Sequence, residues 1–151
     1  MIFKVFYKSL KNMLKYSLMN KKLIESIDHL VITVKNINNC KNFYCNFLGM
    51  ELVEFTDENE TRYSFKFGRQ KINVHFFEKP YSPHALNVIP GSQDICFITK
   101  MDIQMWAKRC EDFNIEIELG PIKRSGAIFE MNSIYLRDPD SNLIEIAKQI
   151  E

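Results

Sequence analysis

The sequence predicts an α+β fold made of paired βαβββ modules, whose curved mixed sheets surround a cavity. The chain contains two similar halves, each with one segment of helical spacing among several strand-like apolar runs. Residues 79–91 join the halves and carry three prolines and a glycine, a composition typical of a connector. Two sheets formed by such a repeat would share a concave face.

The first half contains one predicted strand, one helix and three further strands. Apolar residues recur at helical spacing and stop before Gly49, a residue that commonly ends helices. In chain order the predicted elements are IDHLVITV (27–34), INNCKNFYCNFL (37–48), ELVEF (51–55), TRYSFKF (61–67) and KINVHFF (71–77).

The second half repeats the same order of elements. Its helix is indicated by methionine, tryptophan, cysteine and phenylalanine at comparable spacing, and three strand-like runs follow. The predicted elements are DICFIT (94–99), MDIQMWAKRCEDF (101–113), IEIEL (115–119), AIFEMNSIYL (127–136) and NLIEIA (142–147).

The length and charge of the chain limit its classes of function. With 151 residues, the chain has room for one domain, predicted at 25–150, and none for a separate substrate domain. The net charge of +1 gives no global field for nucleic acid, and no apolar stretch has the length of a membrane helix. We therefore expect a small-molecule substrate as partner, with neither nucleic acid nor a membrane.

Cysteine usage and the amino terminus bear on the compartment. The four cysteines show neither CxxC spacing nor the density of a disulfide scaffold, which favours a reduced, cytoplasmic setting. Residues 1–24 form a basic amphipathic extension with six lysines and no acidic residue. This extension is either a mitochondrial targeting peptide or a poorly ordered segment ahead of the domain.

Four ionisable residues lie at similar ends of four predicted strands: His29, His75, Asp94 and Glu145. Glu145 has apolar neighbours, so burying it unpaired would be costly, whereas a metal ion would favour its ionised form. Imidazole and carboxylate groups suit Zn, Ni, Co, Mn or Fe(II). Asp94 is either a fourth ligand or a residue that caps backbone donors.

Five residues are candidates for contacting an anionic substrate, namely Arg62, Tyr63, Arg124, Ser125 and Arg137. Arginine combines directional hydrogen-bond donors with a permanent charge. Arg124 ranks first because the two glycines of GPIKRSGA permit a mobile loop near the site. His84 lies in the connector and is expected to be exposed.

Two motifs at opposite ends of the domain carry a resemblance to a known family. IDHLVITVKNINNCKNFYCNFLGMEL and YLRDPDSNLIEIA resemble the vicinal oxygen chelate superfamily of glyoxalase I, bleomycin-resistance proteins and extradiol dioxygenases. FGRQKINVHFFE, PGSQDICFIT and GPIKRSGA are similar to the glyoxalase-domain-containing protein 5 subgroup. Ser141 stands in DPDSN where the family more often has glycine, in a turn that favours positive φ.

The resemblance implies metal ligands on the first and last strands of each module, at His29, His75, Asp94 and Glu145. Typical glyoxalase I enzymes have glutamate where His75 stands, and histidine or glutamate where Asp94 stands. The family frequently completes its sites by dimerisation, so a homodimer is expected. Whether the modules pair within one chain or across two is left open.

The implied activity is that of a glyoxalase I-like lyase or isomerase acting on a small oxygenated substrate. A divalent metal ion would stabilise an enediolate, and Glu145, or alternatively Asp94, would be the catalytic base. The alternatives are an Fe(II) dioxygenase and a metal-free protein that binds or sequesters small molecules, since fold alone does not fix function.

Overall fold

A computed structural model describes residues 23–57 and 60–150 and contains two βαβββ modules. Nearly all of the predicted extension, residues 1–24, lies outside the described residues. The first module has β1 (His29–Val34), α1 (Ile37–Cys40) with a π-helical continuation (Lys41–Phe47), β2 (Glu51–Asp57), β3 (Glu60–Phe67) and β4 (Gln70–Phe76). The second has β5 (Asp94–Ile98), α2 (Ile103–Asp112), β6 (Ile117–Ser125), β7 (Glu130–Arg137) and β8 (Leu143–Gln149).

Each module forms one four-stranded mixed sheet. The strand orders are β1-β4-β3-β2 in sheet 1 and β5-β8-β7-β6 in sheet 2. In both sheets the first strand of the module pairs in parallel with the last, and the other pairs are antiparallel. The predicted α+β fold of paired βαβββ modules is confirmed.

The helical segment of module 1 begins and ends at residues that the sequence favours there. The Asn36 side chain accepts hydrogen bonds from the backbone N–H groups of residues 38 and 39, which would otherwise have no partner. Gly49 follows the segment with a φ of +77°, a conformation that glycine adopts without strain. The predicted helix 37–48 is therefore present, although its second part has π-helical geometry.

One hydrophobic core joins the two modules. Ile32 and Ile72 from sheet 1 pack into the same cluster as Ile144 and Ile146 from sheet 2. The segments after β1 and β5 meet in this core: the Phe47 and Trp106 ring centroids are 5.7 Å apart. Burying each large apolar side chain contributes about 1.5–3 kcal/mol, so this shared cluster stabilises the pairing of the modules.

A buried polar network also crosses between the modules. The Tyr44 hydroxyl donates to the Asp138 carboxylate at 2.8 Å, and both side chains are buried. Asp138 also accepts from the backbone N–H groups of Asp140 and Asn142 in the β7–β8 turn. Ser141 in this turn has a φ of +73°, the positive value that the family resemblance implies at this position.

Strand β6 differs from the sequence prediction, which ended the strand at residue 119 and made GPIKRSGA a mobile loop. The strand instead continues through Ser125 and pairs with β7, with register shifts on either side of Leu119. Gly120 makes this possible, because a Cβ there would lie 2.5 Å from the Ser133 carbonyl oxygen. Arg124 therefore lies on a strand.

None of the helices in the part of the chain that the structure describes is long and apolar enough to span a bilayer.

We predict that Tyr44→Phe lowers the free energy of unfolding by about 1.5–3 kcal/mol, since it removes a buried hydrogen bond to a charged group. Tyr81→Phe is the control, because Tyr81 is exposed in the connector. Urea unfolding followed by circular dichroism measures both. Equal stability of the two variants would contradict the importance of the buried bond.

Candidate metal and substrate site

Strand register decides which side chains share a face. On β1, Ile32 and Val34 enter the core, so His29 lies on the opposite, outer face of sheet 1. On β8, Ile144 and Ile146 enter the core, which places Glu145 on the outer face of sheet 2. The outer faces are thus the sides of the two sheets directed away from the shared core, and they carry the predicted site residues.

His29 opens β1 and keeps one ring nitrogen free. Its Nδ1 lies 2.8 Å from the carboxylate of Asp28, and 45% of its side chain is exposed. A carboxylate at Nδ1 favours the tautomer with the proton on that nitrogen, which leaves Nε2 as an acceptor. This pairing is the one that metal-binding histidines commonly have.

Glu145 is half-buried on β8, and its Oε1 atom is buried without a hydrogen-bond partner among the described residues. Cys96 and Tyr135 are its register neighbours on β5 and β7. Burial and then the charge of Glu145 raise the pKa of the Cys96 thiol to about 12. A carboxylate oxygen left unpaired at such a position suits a cation or a proton donor.

Tyr135 links Glu145 to a predicted substrate residue. Arg124 donates through Nε to the Tyr135 hydroxyl at 3.0 Å, and its guanidinium lies over the same ring. Burial raises the pKa of Tyr135, the bond from Arg124 opposes this, and the charge of Glu145 adds to the increase. The sequence indicated Arg124 but not Tyr135, whose role depends on the β7–β8 register.

The two modules do not place His75 and Glu145 at equivalent positions. His29 pairs with Lys71, as Asp94 pairs with Leu143. Glu145 lies two residues beyond Leu143, whereas Asn73 lies two residues beyond Lys71. His75 lies on the same face as Asn73 but one pleat farther along β4. The counterpart of Glu145 in module 1 is therefore Asn73, which corrects the symmetry by which the sequence predicted His75.

This shift changes the separation of the candidate ligands. From strand rise and spacing, the Cα atoms of His29 and His75 are roughly 14 Å apart, whereas those of Asp94 and Glu145 are roughly 8 Å apart. Among the described residues, no three His, Cys, Asp or Glu side chains meet closely enough to hold a metal ion. One chain thus brings Asp94 and Glu145 together on sheet 2 and leaves His29 on sheet 1.

His75 instead lines a pocket between sheet 1 and the connector. This connector pocket has a volume of about 330 Å³, and its lining includes Val31, Thr33, His75, His84, Asn87 and Gln93. Burial, followed by the charges of Arg62 and His84, lowers the pKa of His75. His84, which the sequence placed on an exposed connector, is exposed and also lines this pocket.

Arg137 is already occupied by an acidic partner. Its Nε and Nη2 donate to the two carboxylate oxygens of Glu118 at 2.6 and 2.8 Å. This bidentate pair satisfies much of its charge. The other two candidate arginines lie near the sites described above. Arg62 is close enough to His75 of the connector pocket to affect its pKa, and Arg124 bonds to Tyr135, the neighbour of Glu145.

Comparison with known proteins gives a consistent result. The family model described as Glyoxalase/Bleomycin resistance protein/Dioxygenase superfamily matches residues 26–146. Virulence protein STM3117 of Salmonella typhimurium is 43% identical over 128 residues, which are 85% of this chain and 87% of that protein. Its crystal structure has a TM-score of 0.80 and covers 85% of this chain and 99% of that chain.

Two further proteins extend the comparison. Glyoxalase domain-containing protein RDO1 of Mycosarcoma maydis is 43% identical over 124 residues, which are 82% of this chain and 68% of that protein. A lactoylglutathione lyase from Agrobacterium tumefaciens shares the fold at 20% identity, with a TM-score of 0.63 and coverage of 83% of this chain and 94% of that chain. The superfamily resemblance is confirmed, and the assignment to the protein 5 subgroup stays a prediction.

Proposed function

Because this chain belongs to the Glyoxalase/Bleomycin resistance protein/Dioxygenase superfamily, we propose that it is a metal-dependent lyase or isomerase of the glyoxalase type. Its substrate would be a small oxygenated molecule. The observation that carries the proposal is the buried Oε1 atom of Glu145, which has no hydrogen-bond partner among the described residues. A divalent cation would offset the cost of burying this carboxylate.

The donors present fit such an ion. His29 offers Nε2 because Asp28 holds Nδ1, and Asp94 and Glu145 offer carboxylate oxygens on adjacent strands. Zn, Ni, Co, Mn or Fe(II) accepts this mixture of nitrogen and oxygen ligands. The proposal departs from the sequence prediction at His75, because His75 is displaced along β4 and lines the connector pocket.

The proposed centre requires two copies of the chain. His29 and the Asp94–Glu145 pair lie on the outer faces of different sheets, so we place His29 of one copy beside Asp94 and Glu145 of another. Val31 and Ile98, on the same faces as these ligands, are 36% and 55% exposed. A homodimer would cover these apolar side chains and complete the ligand set.

The chain's own residues would then move the proton. When bound, the ion would stabilise negative charge developing on neighbouring substrate oxygens. Glu145 would accept a proton from a substrate carbon through a carboxylate oxygen that the ion does not hold. Tyr135, held by Arg124, stands beside Glu145, so Arg124 would act through Tyr135 in addition to any direct contact with substrate.

A metal-free binding protein is the second candidate function. It is favoured by Asn73, which stands where the symmetry of the modules would place a counterpart of Glu145. A neutral amide is a weaker metal ligand than a carboxylate. This candidate would be supported if metal-free protein binds a small molecule and a chelator does not change that binding.

An Fe(II) dioxygenase is a further alternative. It would show turnover that depends on iron and oxygen.

We predict that His29→Ala weakens the binding of Zn²⁺ or Ni²⁺ by at least about tenfold, because it removes a ligand. Asn73→Ala and His75→Ala should leave metal affinity near that of the wild type. Isothermal titration calorimetry and elemental analysis measure the three variants side by side. Wild-type affinity in His29→Ala would reject the proposed centre, and a comparable loss in His75→Ala would restore His75 as a ligand.

We also predict that Glu145→Gln keeps its fold but loses turnover by a factor of about 10²–10⁴, the usual contribution of a general base. The assay uses saturating metal and a panel of substrates with two neighbouring oxygens, so that lost occupancy is separated from lost chemistry. Glu111→Gln, an exposed change on α2, is the matched control. Turnover of Glu145→Gln at the wild-type rate would contradict the role of Glu145 as base.

A further inference from the structure

We propose that the connector pocket binds a small organic carboxylate through Arg62, His75 and His84. This inference names the substrate class of the proposed enzyme. It rests on the proposed function only because that function places a reacting centre beside the pocket. The binding itself does not require turnover.

The pocket has the polarity of an anion site. His75 projects from β4 and His84 from the connector, and Thr33, Asn87 and Gln93 add polar groups to the lining. None of the described residues that line it is acidic. An anion in the pocket would therefore meet imidazole and amide groups without an opposing carboxylate.

Arg62 supplies a permanent positive charge beside this lining. On β3 it shares the outer face of sheet 1 with Ser64, which pairs with Asn73 of β4. Its guanidinium lies over the ring of Tyr81 in the connector, 3.0 Å from the centroid. Among residues 23–57 and 60–150, the nearest carboxylate oxygen to Arg62 comes from Asp57 and is 3.9 Å from Nε, which is too long for a hydrogen bond. The described carboxylates therefore balance the charge of Arg62 only partly. The Arg62 side chain is mostly buried, with 14% of it exposed.

His84 is oriented so that one nitrogen remains available. Its Nδ1 lies 2.8 Å from the carbonyl oxygen of Ala85 and donates to it, which leaves Nε2 for a ligand. Desolvation and the neighbouring charges of Arg62 and His84 lower the pKa of His75. A bound carboxylate would relieve this repulsion by placing a negative charge among the three side chains.

The remaining lining sets the size and shape of the ligand. A volume of about 330 Å³ is at the small end of ligand pockets. Val31, Pro83 and Val88 add apolar surface to the lining. A carboxylate with a short aliphatic body fits this combination.

The test compares 2-oxobutyrate with 2-oxobutanamide, its neutral analogue of nearly the same shape, by calorimetry and by NMR of the histidine rings. The acid should bind at least about tenfold more tightly than the amide and shift the His75 and His84 ring resonances. Equal binding of acid and amide, or an absence of ring shifts, would overturn the proposal.

Variants locate the charge that is responsible. Arg62→Gln should weaken binding of 2-oxobutyrate by at least about tenfold, and His84→Gln should weaken it by at least about threefold. Lys66→Gln is the control, because Lys66 is an exposed cation on the same face of β3 that pairs with Lys71, four residues before His75 on β4. Wild-type affinity in His84→Gln, which alters only an exposed connector residue, would overturn the proposal even if Arg62→Gln were unstable.

A chelator separates this inference from the metal proposal. Binding of 2-oxobutyrate that persists in EDTA would support the connector pocket whether or not the metal centre exists. Binding that EDTA abolishes would place the carboxylate on a metal ion and overturn the assignment to Arg62, His75 and His84.

Discussion

The buried carboxylate of Asp138 organises the junction between the modules. It accepts hydrogen bonds from Tyr44 in module 1 and from the backbone and side chain of Asn142 in the β7–β8 turn. The Asn142 side chain in turn accepts from the backbone N–H of Gln93, immediately before β5. Burying a carboxylate is costly unless hydrogen-bond donors reach its oxygen atoms. This network of donors therefore specifies one arrangement of the turn. The register of Asp94 and Glu145 therefore depends on Asp138.

The shared core has a direct consequence for the site. Both sheets turn their apolar faces towards one cluster, which leaves the ionisable side chains on the two outer faces. His29 is thus separated from Asp94 and Glu145 within a chain, although all three lie on strands of matching topology. A second copy of the chain is the simplest partner that could supply the missing half, because it carries the same exposed surfaces.

The sequence predicted the architecture well because the repeat and its apolar patterning are local properties. The order of elements and the helix stop at Gly49 followed from nearby residues, whereas the positive φ at Ser141 followed from the family resemblance. Register is different, since it depends on how two distant strands align. For this reason His75 is not the counterpart of Glu145, as the symmetry of the modules had predicted. Asn73, two residues earlier on the same face of β4, holds that position instead.

Two other features of the site lay beyond local sequence patterns. The connector pocket exists because residues 83–93 fold over β1 and β4, a path that proline and glycine content does not specify. GPIKRSGA was expected to be a loop because of its glycines, but pairing with β7 makes it a strand in which Gly120 avoids a clash. The link from Arg124 through Tyr135 to Glu145 likewise appears only once β6, β7 and β8 are aligned.

The most direct test of the two-copy metal centre is complementation between variants. His29→Ala and Glu145→Gln, co-expressed with different tags, are purified as a mixed dimer and titrated with Zn²⁺. If His29 of one chain meets Glu145 of the other, each variant alone lacks tight binding, but the mixed dimer regains one intact site of two. If the mixed dimer binds no better than either variant alone, the ligands come from the same chain and the two-copy centre is wrong.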